Sequence, residues 1–171
     1  MKRLFLVLLG LAGAAQAQPA RLQKQVLLPS QAVKAQWREH AFVPLQASDF
    51  KSGTVKQYQF SANQAHWAVL ADFNGDGKKD LLVDGHSGKN FLRVAFLSPA
   101  YRYQVVDKGV WAGGGRTAYV EHIPPGVHDM PIADQKRLEL KRDAYCEVYP
   151  EKAAILRYWK NGKFQEYYLA D

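Results

Sequence analysis

Residues 153–169 read AAILRYWKNGKFQEYYL, and this stretch predicts the β-hairpin that sets the class of the fold. Asn161 and Gly162 stand between two apolar and aromatic runs, and both residues tolerate the positive φ angles of a type I′ turn. A two-residue turn places Lys160 opposite Lys163 and so fixes the register. The pairs expected on one face are Trp159 with Phe164, Arg157 with Glu166, and Ile155 with Tyr168. Because both faces carry large apolar side chains, we expect the hairpin to lie inside a sheet or sandwich and not at a free edge.

The chain upstream of this hairpin continues the β pattern. After Phe50, short β-branched and aromatic runs alternate with Gly, Asn, Asp and Pro, which is typical of an antiparallel β domain. No helical pattern of 10–15 residues separates the runs, which argues against a parallel, doubly wound sheet. The predicted strands are 54–60, 66–71, 81–83, 91–97, 102–106, 117–122, 145–149, 153–160 and 163–169, and residues 109–130 are predicted to be rich in loops.

One short helix is predicted ahead of the β region. Pro29 and Ser30 precede Val33 and Trp37, whose i, i+4 spacing favours an amphipathic helix over 31–40. The predicted fold class is therefore mainly β, an antiparallel sheet or sandwich of about eight or nine short strands with a short N-terminal helix.

Composition and the N-terminal residues indicate an exported domain. The chain has 171 residues, 47% hydrophobic and 23% charged, a balance that excludes disordered, collagenous and coiled-coil proteins. Lys2 and Arg3, an apolar run over 4–15 and the site Ala15-Gln16-Ala17 have the features of a secretory signal. The predicted division is a signal peptide at 1–17, an N-terminal segment at 18–50 and an antiparallel β domain at 51–171. We expect a periplasmic or secreted protein with no membrane insertion after signal cleavage.

Residues 72–80, DFNGDGKKD, form the motif with the clearest chemistry. Oxygen-bearing side chains fall at positions 1, 3, 5 and 9 of the stretch, and these are Asp72, Asn74, Asp76 and Asp80. Gly77 at position 6 permits the sharp bend of a calcium loop, and Lys78 at position 7 offers its carbonyl oxygen. Position 12 is Val83, where a helix-flanked calcium loop has a bidentate Glu. Because predicted strands at 66–71 and 81–83 flank the loop, we expect it to join two strands.

The motif resembles the loops of integrin-α-type FG-GAP repeats, which are similar to VCBS-type repeats of bacterial exported proteins. The resemblance covers 72–80 and the flanking strands. It implies a structural Ca²⁺ ion, with Asp72, Asn74, Asp76, the carbonyl of Lys78, and Asp80 as ligands. The chain has no Phe-Gly-Gly-Ala-Pro stretch ahead of the loop and a single loop where propellers have several. The alternative is an ion-free polar turn, which would leave three carboxylates to repel one another.

Other polar groups give weaker signals. Ser87 lies in a Gly-His-Ser-Gly stretch that lacks the pattern and the helix of a nucleophile elbow. His122 and His128 match no zinc spacing, and both are interpreted as surface loop histidines. Cys146, the only cysteine, is interpreted as a buried and inert thiol. The densest basic patch is interpreted as a solvated face because Glu139 and Asp143 interrupt it, and its members are Lys136, Arg137, Lys141 and Arg142.

These observations predict a non-catalytic binding or interaction module of the bacterial envelope. The sequence contains no recognisable acid–base pair, phosphate cradle or redox cofactor motif. The expected partner is an unknown envelope protein or glycan, and no nucleic acid. The alternative is a small envelope enzyme or an enzyme inhibitor. A concave site with convergent polar groups away from 72–80 would favour the enzyme, and a flat aromatic or basic face would favour binding.

Overall fold

The protein is described by a computed structural model over residues 30–53, 64–129, 137–150 and 152–170. The predicted signal peptide at 1–17 and the predicted strand at 54–60 lie outside these ranges. Within them the chain forms antiparallel strands and one short helix near the start, which confirms the predicted mainly β class.

The helix α1 is Gln31–Glu39, and a 3₁₀ turn covers Ala47–Asp49. The first strands are β1 Val43–Pro44, β2 Gln64–Ala65, β3 Ala68–Ala71, β4 Asp80–Ser87, β5 Asn90–Leu97 and β6 Arg102–Val110. The later strands are β7 Tyr119–Ile123, β8 Gly126–Asp129, β9 Arg137–Leu140, β10 Ala144–Tyr149, β11 Ala153–Lys160 and β12 Lys163–Ala170.

Helix α1 begins and packs as the sequence predicts. The Ser30 hydroxyl accepts a hydrogen bond from the Val33 N–H at 3.3 Å and so caps the first turn. Val33 is buried, and the Trp37 ring packs edge-on against Phe96 of β5. The helix therefore covers one face of the sheet that contains β5. No helix in the described part of the chain has the length and apolarity needed to cross a bilayer.

The strands form three sheets. In the first sheet the order is β2-β3-β4-β5-β6, and β1 pairs with the far end of β4. In the second sheet the order is β12-β11-β10-β7. Strands β8 and β9 form a separate two-stranded third sheet. The prediction that 109–130 is rich in loops missed β8, a four-residue strand that follows Pro124-Pro125, and the sequence did not predict β9.

The C-terminal hairpin has the predicted register. Lys160 lies opposite Lys163, Trp159 opposite Phe164, Arg157 opposite Glu166, and Ile155 opposite Tyr168. Asn161 and Gly162 have φ angles of 53° and 79°, as a type I′ turn requires. The expectation that the hairpin avoids a sheet edge is wrong for β12, which pairs only with β11 in the described residues. On one face of β12, Phe164 packs against Phe73 and Tyr145, whereas Tyr168 of the same strand is 62% exposed.

The first and second sheets pack face to face. Their shared apolar cluster contains Val69, Leu82 and Ala95 from the first sheet together with Val120 and Tyr145 from the second. The other face of the second sheet is covered by the third sheet, and this cluster is Ile123, Leu140, Ala144, Cys146 and Leu156. The result is a β-sandwich with an extra layer on each side, and the loop 72–80 lies at one end of it.

Candidate functional site

The loop 72–80 joins β3 to β4, as predicted, and wraps around the carboxylate of Asp72. Oδ1 of Asp72 accepts hydrogen bonds from the N–H groups of Gly75 at 2.7 Å and Asp76 at 3.1 Å. Oδ2 accepts from the Gly77 N–H at 2.8 Å. Gly77 has a φ of 81°, which glycine adopts without strain. Gly77, at position 6 of the loop, therefore provides the sharp bend that was predicted for it.

Asn74, Asp76 and Lys78 continue the same winding. Oδ1 of Asn74 accepts from the Asp76 N–H at 2.9 Å, and its Nδ2 donates to the Ser98 carbonyl at 2.8 Å. The N–H of Lys78 donates to Oδ1 of Asp76 at 2.9 Å. This backbone hydrogen bond is the largest influence on Asp76 and lowers its pKa below the ordinary value.

Asp80 is fully buried at the start of β4 and holds the loop closed. Its Oδ2 accepts from the N–H groups of Phe73 at 2.9 Å and Asn74 at 3.3 Å. Its Oδ1 accepts from the N–H of Ser98 at 2.7 Å. Burial raises the pKa of Asp80 above its ordinary value, although these hydrogen bonds act in the opposite direction.

Ser98, which sequence reasoning did not select, is the point where two of the predicted ligands meet. Its buried hydroxyl oxygen lies 2.9 Å from both carboxylate oxygens of Asp76 and 2.8 Å from Oδ1 of Asp80. A serine hydroxyl has one proton to donate, so it cannot satisfy both carboxylates at once. The register of the β4–β5 hairpin would have identified Ser98, because it pairs Leu81 with Phe96 and so brings Ser98 beside the loop.

The predicted ligands are thus brought into one loop but do not all converge. Asp76 and Asp80 meet at Ser98, whereas the Asp72 carboxylate is directed to backbone N–H groups of the loop. In the described residues, no three His, Cys, Asp or Glu side chains form a metal-binding group. The donors are all oxygens, and this donor chemistry fits calcium and not zinc. A bound ion would have to share Asp72 and Asp76 with the hydrogen bonds that they already accept.

Asp143, in the turn before β10, connects the loop to the second sheet. Its Oδ2 accepts from the N–H of Asp72 at 2.8 Å, and its Oδ1 lies 2.9 Å from Nε2 of His122. Nζ of Lys79 is 3.7 Å from Oδ2. Burial raises the pKa of the Asp143 carboxyl, but the Asp72 N–H, His122 and Lys79 outweigh burial, so the net pKa is lowered. The loop is therefore anchored to both sheets of the sandwich.

A buried ionic network crosses the interface between the two sheets. Arg93 of β5 donates to Asp84 of β4 through Nε at 2.7 Å and Nη2 at 2.9 Å. Nη1 of Arg93 is ion-paired with Glu147 of β10 in the opposite sheet. Arg157 of β11 donates to the same carboxylate at 2.9 Å. Asp84, Arg93, Glu147 and Arg157 are all buried, so this network links the sheets in the middle of the sandwich.

The arginines of this network determine the charge of Glu147. Burial raises the pKa of Glu147, but Arg93, Arg157 and a 2.7 Å hydrogen bond from the Tyr149 hydroxyl outweigh burial and lower the pKa to about 2. Glu147 is therefore a carboxylate at any physiological pH. Because Arg93 pairs with Asp84 of its own sheet and with Glu147 of the opposite sheet, the network favours one arrangement of the two sheets.

The remaining sequence candidates are placed apart from one another. The Ser87 hydroxyl donates to the carbonyl of His40 at 3.2 Å. His122 contacts Asp143, while Nε2 of His128 lies 2.9 Å from the Pro124 carbonyl oxygen, so the two histidines do not form one site. His122 is in β7 and partly buried, which corrects its interpretation as a loop histidine. Cys146 is buried as predicted, and burial raises the pKa of its thiol to about 12.

Comparisons of the chain with protein-family models, curated proteins and solved structures found no match. The resemblance of residues 72–80 to FG-GAP and VCBS loops therefore stays a prediction.

Proposed function

We propose that this chain is an exported, calcium-stabilised β-sandwich that acts as a non-catalytic binding module in the bacterial envelope. The calcium ion has a structural role in this proposal and holds the loop 72–80. Asp72, Asn74, Asp76, Asp80 and the carbonyl of Lys78 supply its oxygen ligands. Export rests on the predicted signal at 1–17.

The observation that carries the calcium proposal is that carboxylate oxygens of both Asp76 and Asp80 surround the Ser98 hydroxyl, which has one proton to donate. Three carboxylate oxygens of Asp76 and Asp80 lie within 2.9 Å of one hydroxyl oxygen. A divalent cation at these oxygens would neutralise the two carboxylates that one proton cannot satisfy.

The position of the loop supports a structural role for the ion. The loop contacts the β5–β6 turn through Ser98 and the second sheet through Asp143. An ion that fixes the loop would therefore strengthen the junction between the sheets, and sites of this kind stay filled where calcium is millimolar.

Calcium should raise the stability of the folded protein. With a dissociation constant near 10⁻⁴ M and 1 mM Ca²⁺, the folded state gains about 1.4 kcal/mol, which raises the melting midpoint by a few degrees. Mg²⁺ should do much less because it requires shorter bonds in near-octahedral geometry. Differential scanning calorimetry in chelator, Ca²⁺ and Mg²⁺ measures these shifts.

Two variants locate the effect. Asp76→Ala should abolish the calcium-dependent shift, whereas Ser87→Ala, which changes a hydroxyl outside the loop, should retain it. In chelator, Asp76→Ala should be somewhat less stable than the parent, because it loses the hydrogen bonds that Asp76 accepts from the Lys78 N–H and the Ser98 hydroxyl. A parent protein with the same melting midpoint in chelator and in 5 mM Ca²⁺ would identify 72–80 as an ion-free polar turn.

A further inference from the structure

A cleft lies between the third sheet and the end of the C-terminal hairpin. It has a volume of about 420 Å³ and is lined by residues 138–143 and 158–161. Its apolar floor contains Leu138, Leu140 and Tyr158, which belong to the cluster under the third sheet. The floor is therefore built from the same packing that fixes β9 on the second sheet.

The rim of this cleft is basic. Lys141, Arg142 and Lys160 line the cleft and are exposed, and in the described residues none of them forms a salt bridge. Lys163 lies directly opposite Lys160, a like-charge pair that costs stability. Of the two acids in the lining, Asp143 is engaged by Asp72, His122 and Lys79, whereas Glu139 has no ion pair with any residue that the structure describes.

The cleft also runs along strand edges. Residues 138–140 line it consecutively, and so do 158–160, although side chains in a strand alternate between faces. The pairing of β10 with β11 ends at Ala144 opposite Tyr158, so Trp159 and Lys160 extend beyond β10. An extended peptide fits such a gap because it can pair its backbone with an open edge.

We propose that this cleft binds an extended acidic segment of a partner protein, with acidic side chains on Lys141 and Lys160 and an apolar side chain on the leucine floor. A peptide is favoured over a glycan because the half-buried Leu138 offers an aliphatic surface beside strand edges that have no backbone partner in the described residues. The inference deepens the proposed binding role, and its charge and packing arguments do not depend on the calcium loop.

The test uses a rhodamine-labelled hexapeptide of alternating Glu and Leu, with binding to the full mature protein measured by fluorescence anisotropy in 1 mM Ca²⁺. We expect saturable binding, at least tenfold weaker binding in Lys141→Glu/Lys160→Glu, and tighter binding in Glu139→Gln. Lys89→Glu reverses one of the positive charges of the protein on the exposed β4–β5 turn, outside the cleft lining, and should leave the affinity unchanged. An alternating Lys and Leu peptide should not bind, and a Glu and Ser peptide should bind more weakly.

Three results would overturn the proposal. These are no binding of the Glu and Leu peptide, equal binding by the double variant, and binding of alginate at these lysines in place of the peptide. The calcium-dependent melting shift of each sample is recorded alongside. A normal shift without peptide binding rejects the cleft alone, and peptide binding without a shift rejects the calcium loop alone.

Discussion

Glu147 joins an arginine of each sheet, because its carboxylate lies between Arg93 and Arg157. Replacing Glu147 with Gln removes the negative charge and leaves two buried guanidinium groups less well paired. Loss of one partner from a buried ion pair costs about 3–5 kcal/mol. We expect Glu147→Gln to lower the free energy of unfolding by about 3 kcal/mol at pH 7, measured by urea denaturation.

The pH dependence of this loss gives a sharper test. The pKa of Glu147 falls from its ordinary 4.5 to about 2 on folding. Its contribution is therefore complete above pH 4.5 and disappears as the pH falls towards 2. The difference in unfolding free energy between the parent and Glu147→Gln should narrow over that window. Glu139→Gln, at an exposed position of β9, should show little change at any pH. A difference that stays constant with pH would assign the loss to side-chain packing.

Sequence reasoning found the loop residues but not this network. Asp72, Asn74 and Asp76 are recognisable because their spacing is local. Asp84, Arg93 and Glu147 come together only through the β4–β5 register and the packing of two sheets. A charged residue in a strand is read as solvent-facing unless its pairing partner is known, and the β4–β5 turn was not interpreted as a hairpin.

At the scale of elements, the C-terminal turn is the clearest place to test the backbone argument. Gly162 has a φ of 79°, where a β-branched residue is strained. Gly162→Val should cost about 1–3 kcal/mol in thermal denaturation. Gly162→Asn, which tolerates the left-handed region, should cost much less. Equal melting midpoints for the two variants would contradict a type I′ turn.

The pairing of β1 with β4 leads to a second prediction at this scale. A Cβ atom at Gly85 would overlap the Phe42 ring and lie 2.5 Å from the Val43 carbonyl oxygen. Gly85→Ala should therefore destabilise the fold by about 1–3 kcal/mol, as overpacking does in other cores. In β6, Gly109→Ala meets only Phe91, at 3.9 Å, and is the matched control. Both unfolding free energies are measured by urea denaturation. Equal losses for Gly85→Ala and Gly109→Ala would contradict the close approach of β1 to Gly85.

The accuracy of the sequence predictions depended on turn chemistry. Asn161-Gly162 defined both strands and their register because a two-residue turn allows one pairing. Strand β4 extends to Ser87, whereas the sequence predicted only 81–83, because Asp84, Gly85 and His86 resemble a turn. Asp84 is paired with Arg93, and Gly85 makes room for Phe42, so tertiary contacts override the local preference.

For the whole molecule, the network and the loop predict that both sheets unfold together. Arg93 belongs to the first sheet and Glu147 to the second, so Glu147→Gln should weaken both. In amide hydrogen exchange, the slowest protons of β4 and β5 should lose as much protection as those of β10 and β11, about a hundredfold for 3 kcal/mol. Loss confined to β10 and β11 would show that the sheets open independently.

The buried position of Cys146 gives the molecule an intrinsic reporter of opening. Its thiol is 3% exposed, and its pKa of about 12 leaves almost no thiolate at neutral pH. A maleimide can therefore react only after the residues that cover Cys146 move away from it, so the labelling rate reports opening of this part of the core. Because the chain has no second cysteine, each adduct reports the same event without introducing a mutation.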